Sequence, residues 1–134
     1  MAAKNPYQTY QNNSINTASP GELTLMLYNG CLKFITLAKA AMEQQKITEK
    51  NENIQKAQAI VKELMVTLKP DADISTHMLA IYDFVHRRLM DANVKNDPAM
   101  LDEAAELIRE FRDTWKQVIQ ENRIQQFGTE GGQA

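Results

Sequence analysis

Apolar residues in this chain recur at spacings of three and four, and no stretch alternates as a half-buried strand would. The helical periodicity breaks only at prolines and turn-forming residues. Pro20 follows Ser19, and Glu22 stands three residues after that serine, so Ser19-Pro20-Gly21-Glu22 predicts a capping box with proline at the first helical position. A helix is expected over about 20–45, ending in the polar "EQQKITEKNEN". A second is expected over about 50–68, starting near Thr48 or Asn51 and stopped after Leu68 by "KPDAD". A third starts at Asp73 or Ile74 and covers about 74–93. Asp97-Pro98 opens a fourth over about 98–123. Residues 125–134, which hold three of the five glycines, are expected to be a flexible tail, and residues 1–18 an extended leader. Four long helices with short connections predict an all-α domain, an antiparallel up-down four-helix bundle spanning 19–124 with the leader packed on it.

The distribution of apolar residues round each helix separates ordinary faces from unusual ones. On the fourth helix Leu101, Ala104, Ala105, Leu107, Ile108, Phe111, Trp115, Val118 and Ile119 share one side, and charged residues fill the other. The second helix groups Ile54, Ala57, Ile60, Val61, Leu64, Met65 and Leu68. The first helix carries two stripes. One holds Leu23, Met26, Leu27, Gly30, Cys31, Phe34, Ala38 and Ala41, and the other holds Leu25, Tyr28, Leu32 and Ile35. Together they cover roughly 260° of the wheel, where an ordinary surface helix needs about 100°. The third helix has a core stripe of Ile74, Met78, Ile81, Tyr82, Val85, Leu89 and Ala92, with Leu79, His86 and Met90 beside it and Phe84 beyond its other margin.

Four large side chains in the second stripe of the first helix represent at most roughly 6–12 kcal/mol of burial, comparable to the net stability of a domain. Water is therefore an unfavourable neighbour for it. A neighbouring helix, a second copy of the protein or another segment of chain could cover it. In the first case the stripe is simply core. In the others it is covered conditionally, by a partner or by the leader, whose Tyr7, Tyr10 and Ile15 can sit in a groove while the backbone stays wet.

Composition excludes several function classes. The chain has 134 residues, the size of one domain, and 43% are apolar, enough for one core. A formal charge of −2 argues against a nucleic-acid face. The single cysteine, Cys31, rules out an intrachain disulfide. No run approaches the roughly 20 apolar residues of a membrane span, and the start lacks the pattern of a signal peptide. A cytoplasmic domain without membrane insertion is the expectation.

Catalytic patterns are also absent. A di-metal bundle needs Glu-x-x-His on two helices and two further inward carboxylates. The nearest match, Asp83-Phe84-Val85-His86, occurs once, with Asp83 away from the core stripe. His77 and His86 lie about 180° apart round one helix and cannot share a metal from one face. No phosphate loop, HExxH, GxSxG or GxGxxG occurs. Cys31 falls in an apolar stripe, the setting of an inert buried thiol. These residues predict neither catalysis nor a bound cofactor, and a helical protein-binding module fits them better. Self-association as a structural bundle or adaptor is the alternative.

Several segments carry a more specific pattern. "TASPGELTLMLYNG" at 17–30, followed by Phe34 and Ala38, together with the tyrosine pair in "NPYQTYQ", resembles the signature of the FliS family of flagellar secretion chaperones. So do "NIQKAQAIVKEL" at 53–64, "IYDFVHRRLMDAN" at 81–93 and Trp115. The likeness runs from Tyr7 to about Gln120, with Gly21 and Asn29 as less typical positions.

The resemblance implies a cytoplasmic chaperone for the C-terminal region of flagellin, which would wrap round the bundle largely as helices in hydrophobic grooves. It also implies that binding blocks premature polymerisation and that the complex is delivered to the flagellar export gate. Tyr7 and Tyr10 match the family's leader tyrosines, expected in covering a groove and in docking at the gate. The wheels supply the candidate groove residues: Leu25, Tyr28, Leu32 and Ile35 on the first helix, and Leu79, His86 and Met90 on the third. A homodimer is a further expectation, either as a resting state or as the alternative fate of the apolar face.

Overall fold

A computed structural model describes the backbone of residues 19–70 and 73–133, and the side chains of residues 19, 21–70 and 73–121. The leader, with Tyr7, Tyr10 and Ile15, lies outside the described residues. Four helices follow in order: α1 (Pro20–Glu43), α2 (Ile47–Val66), α3 (Asp73–Lys95) and α4 (Pro98–Gln133). Each packs against the next round a ring that closes from α4 to α1.

Local chemistry accounts for the helix ends. Ser19 is extended, and its Oγ accepts a hydrogen bond from the amide of Glu22 at 3.2 Å, with Pro20 opening α1. At the other end Gln45 takes a left-handed conformation, φ 59°, and the amide of Lys46 reaches back to the carbonyl of Ala41 at 2.8 Å. The end of α3 repeats the device, with Asn96 at φ 53° and the Asp97 amide donating to the Ala92 carbonyl at 3.2 Å. Asp97 then caps α4 by accepting from the amide of Ala99 at 3.0 Å. Backbone helix continues past residue 123 to Gln133, where the sequence predicted a flexible tail. No proline follows Pro98, and a glycine in a helix costs only about 1 kcal/mol, so the tail's glycines weaken the helix without breaking it.

Contacts across the ring establish the antiparallel order. Lys39 near the end of α1 pairs with Asp102 near the start of α4 at 2.9 Å. At the opposite end the indole of Trp115 on α4 donates to the carbonyl of Gly21 on α1 at 2.7 Å. Asn93 near the end of α3 donates to Asn51 near the start of α2 at 2.7 Å. In the middle of the α1–α2 seam Gly30 lets the helices approach closely, since a Cβ there would come within 3.2 Å of Ile60 Cδ1.

Apolar burial drives this assembly and is unevenly spread. The core combines Leu27, Tyr28, Cys31, Phe34, Ile35 and Ala38 with Ile54, Ala57, Ile60, Val61, Leu64, Tyr82, Val85, Leu89, Ala92, Leu101, Ala104 and Ile108. At the end of the bundle that holds the start of α1, the side chains are less covered. Leu23, Leu25 and Met26 are half-buried there, as are Phe111, Trp115 and Ile119 on α4. Val66, Ile74 and Val118 are exposed at the same end. Ile74 thus leaves the core stripe to which its spacing assigned it: it is exposed in the first turn of α3, where its neighbour Ser75 is buried instead.

Candidate protein-binding surface

The second stripe of α1 resolves into core and margin. Tyr28 is fully buried and Ile35 is 3% exposed, so neither can belong to an open groove. This corrects the expectation for both residues. The reason is geometric: α1 is flanked by α2 on one side and α4 on the other, and a helix with two such neighbours needs two apolar stripes. Leu25 and Leu32 are half-buried at the edges of the same stripe.

Tyr28 takes part in a contact across the bundle. Its hydroxyl lies 2.6 Å from that of Tyr82 on α3, and its ring stacks on Phe111 of α4 with centroids 6.0 Å apart. The Tyr82 ring meets the same Phe111 at 5.4 Å in a tilted arrangement. Burial raises the pKa of both phenols. For Tyr28 the hydrogen bond from Tyr82 opposes the rise, whereas for Tyr82 the hydrogen bond and charge of Tyr28 add to it. Both hydroxyls therefore stay neutral and satisfy each other inside the core.

The third helix keeps the exposure that its wheel predicted. Leu79 and Met90 are each 47% exposed, and His86 is half-buried between them in the same strip. Desolvation lowers the pKa of His86, the positive charge of Lys62 on α2 lowers it further, and Asp83 opposes both. His86 is thereby held neutral near pH 7, which suits a strip whose other members are apolar.

The opposite flank of α3 also carries apolar surface, which the wheel assigned to core or left at the margin. Ile81 faces Leu107, Phe111 and Thr114 of α4 round a cleft of about 280 Å³ rimmed by Glu110. Beside it Phe84 is 36% exposed beneath the guanidinium of Arg88, 4.9 Å from the ring centroid. Arg88 Nε lies 3.2 Å from Glu103 Oε2 but lacks hydrogen-bond geometry, so that pair is electrostatic rather than directed. Phe84, Arg87, Arg88, Met90 and Asp91 line a further shallow cleft of about 280 Å³.

Of the nine large apolar side chains exposed among the described residues, Ile74, Leu79, Phe84, Met90 and Val94 stand on α3. One helix thus holds more than half of them, which makes it the candidate interaction surface among the described residues. Among the described residues no group of His, Cys, Asp and Glu could hold a metal ion, and no helix is long and apolar enough to cross a membrane. Cys31 is fully buried, and desolvation pushes its thiol up to about 12. Its Sγ faces the Ala57 carbonyl at 3.9 Å, so its surroundings are those of a core residue rather than a nucleophile.

An antiparallel helical bundle with an apolar flank on either side of one helix has the form of a candidate protein-binding module. The sequence pattern of the family described as "Flagellar protein FliS" matches residues 3–122, and the chain belongs to that family of flagellar secretion chaperones. The chain is 54% identical over 131 residues to the flagellar secretion chaperone FliS of Bacillus subtilis (strain 168), covering 98% of each. It is 36% identical over 106 residues to FliS of Vibrio cholerae serotype O1, covering 78% of each. A solved structure described as a flagellar chaperone from bacteria superposes with a TM-score of 0.72 at 20% identity, covering 86% of this chain and 95% of that one, which supports the bundle fold.

Proposed function

We propose that this protein acts in the cytoplasm as an export chaperone, by binding rather than catalysis. Its client is the C-terminal segment of flagellin, laid as amphipathic helix along the exposed flanks of α3 and the less covered end of the bundle. The observation that carries this reading is the concentration of exposed Leu79, Phe84, Met90 and Ile74 on one helix of a bundle whose centre is otherwise sealed. Filament subunits free in solution expose apolar termini that cannot form a core alone, and a groove satisfies them without nucleotide hydrolysis. Binding keeps the subunit from polymerising, and the complex is then delivered to the flagellar export gate.

In this reading the leader occupies part of the same surface before the client arrives. Residues 1–18 join the chain at the less covered end, where Leu23, Leu25, Met26 and Trp115 are only half-buried. Tyr7, Tyr10 and Ile15 supply the apolar contacts of that cover, and Tyr7 and Tyr10 also dock at the export gate. A docked leader lowers apparent affinity by the fraction of time it is bound.

Calorimetry with a peptide of the C-terminal flagellin region tests the proposal. Binding is expected, with Leu79→Glu and Met90→Glu each weakening it about tenfold or more while leaving the helical melting curve nearly unchanged. Removal of residues 1–16 is expected to tighten binding or raise its on-rate. Absence of binding by the intact and truncated chains would overturn the chaperone reading, and an unchanged on-rate would remove the covering role from the leader.

A further inference from the structure

At the end of the bundle away from the start of α1 lies a cleft that the chaperone reading does not use. Ala41, Met42, Gln45, Lys46, Ile47, Lys50 and Asn96 line it, and it encloses about 320 Å³. Lys50 is only 6% exposed although it carries a charge. Its ammonium donates to the Asn93 carbonyl at 3.2 Å and to Asn96 Oδ1 at 3.0 Å. An ammonium has three hydrogens to donate, and these two bonds go to neutral oxygens. Among the described residues no carboxylate forms an ion pair with Lys50.

Holding a buried charge against neutral acceptors is costly unless something balances it. The C-terminus of α3 contributes part of that balance through the Asn93 carbonyl, equivalent to roughly half a negative charge. The two bonds leave one ammonium hydrogen over, on a side chain that lines an open cleft. The other walls narrow the choice of ligand. Ala41 and Met42 form a buried apolar floor, and Ile47 stands 70% exposed at the rim. Apolar walls of this kind gain nothing from a bare inorganic anion. The volume, at the low end of ligand sites, suits a group the size of one amino-acid residue.

We propose that this cleft binds an aliphatic carboxylate, with the Lys50 ammonium on the carboxylate and the Ala41, Met42 and Ile47 walls on the hydrocarbon. The same chemistry is presented by the C-terminal residue of a peptide and by a free short-chain acid. Both turns that shape the cleft, at Gln45 and Asn96, hold left-handed backbone, so the walls are set by two reinforced helix ends rather than by a loose loop. The inference is independent of flagellin binding on α3, and either can fail without the other.

The test is an amide NMR titration of the full-length, isotopically labelled protein with three probes: N-acetyl-leucine, N-acetyl-leucinamide and 4-methylpentanoate. The acids are expected to shift the amides of residues 45–50 and Asn96, and the neutral amide is expected to bind at least about tenfold more weakly because it cannot form the charge-assisted bond. Tighter binding of N-acetyl-leucine than of 4-methylpentanoate identifies a peptide terminus as the ligand, and the reverse order identifies a free acid. Either order supports the site. Equal shifts with the amide, or no shifts confined to these residues, overturn the proposal. A Lys50→Met variant that keeps its helical circular dichroism should lose the response to both acids, and a retained response overturns the role of Lys50. If that variant does not fold, the comparison of acid with amide on the natural chain decides alone.

Discussion

The hydroxyls of Tyr28 and Tyr82 meet at 2.6 Å across the centre of the bundle, joining α1 to α3, which are not neighbours in the ring. Replacing either tyrosine by phenylalanine strands the other phenol without a partner in the core. Each single substitution is expected to cost about 1–3 kcal/mol. The double substitution removes both polar atoms and should cost less than the sum of the singles. Urea unfolding of the four proteins in a double-mutant cycle measures the difference, and strict additivity would show that the contact contributes nothing.

Cys31 gives the bundle a sensitivity to alkali. Burial raises its pKa from 9.0 to about 12, so between those values the unfolded chain releases a proton that the folded chain retains. Stability from this group is fully present below about pH 9 and is lost as pH rises toward 12. Cys31→Ala costs stability at pH 7 through the lost sulfur. It should also flatten the fall in stability above pH 9 by up to about 1.4 kcal/mol per pH unit. Urea midpoints at pH 7, 9, 10 and 11 for both proteins test this, and parallel profiles would contradict it.

Gln45 closes α1 at φ 59°, a conformation that costs an L side chain energy and glycine very little. Gln45→Gly is expected to stabilise the fold by about 0.5–1 kcal/mol, the strain relieved exceeding the added freedom of the unfolded chain. A higher urea midpoint with an unchanged slope is the expected result, and a lower midpoint would mean that the Gln45 side chain itself stabilises the fold.

Trp115 is the single tryptophan of the chain and ties the middle of α4 to the first turn of α1 through its 2.7 Å bond to the Gly21 carbonyl. Trp115→Phe keeps a ring but loses the donor. It should cost about 1 kcal/mol and speed hydrogen exchange of the amides over residues 23–26, with little change near Ile54 or Leu89. Uniform acceleration along all four helices would argue against a local tie.

The helices and their order were legible from spacing and from the punctuation at Ser19-Pro20 and Asp97-Pro98, because capping is local chemistry. The exposed strip of Leu79, His86 and Met90 was legible for a similar reason: α3 carries more apolar arc than its two neighbours can cover. Tyr28 and Ile35 were not assignable in the same way. A wheel measures how much apolar surface a helix presents, but whether a helix or a partner covers it depends on packing between distant segments. The shared position of Phe111 against Tyr28 and Tyr82 depends on three helices at once, and no spacing within one helix encodes it. The buried ammonium of Lys50 was not legible because its acceptors, Asn93 and Asn96, come from another helix end more than 40 positions away.

The gradient of packing along the bundle axis has a mechanical consequence. From Lys50 and Ala92 through Tyr28 and Tyr82 the side chains are buried, whereas from Phe111 onward the described apolar side chains of α4 and those of the first turns of α1 are half-buried or exposed. Local openings should therefore be frequent near Leu25 and Ile74 and rare near Ile54 and Leu89, so that rearrangement at one end need not propagate to the other. A chain built this way can open and close repeatedly at its yielding end while the fixed end keeps the memory of the fold.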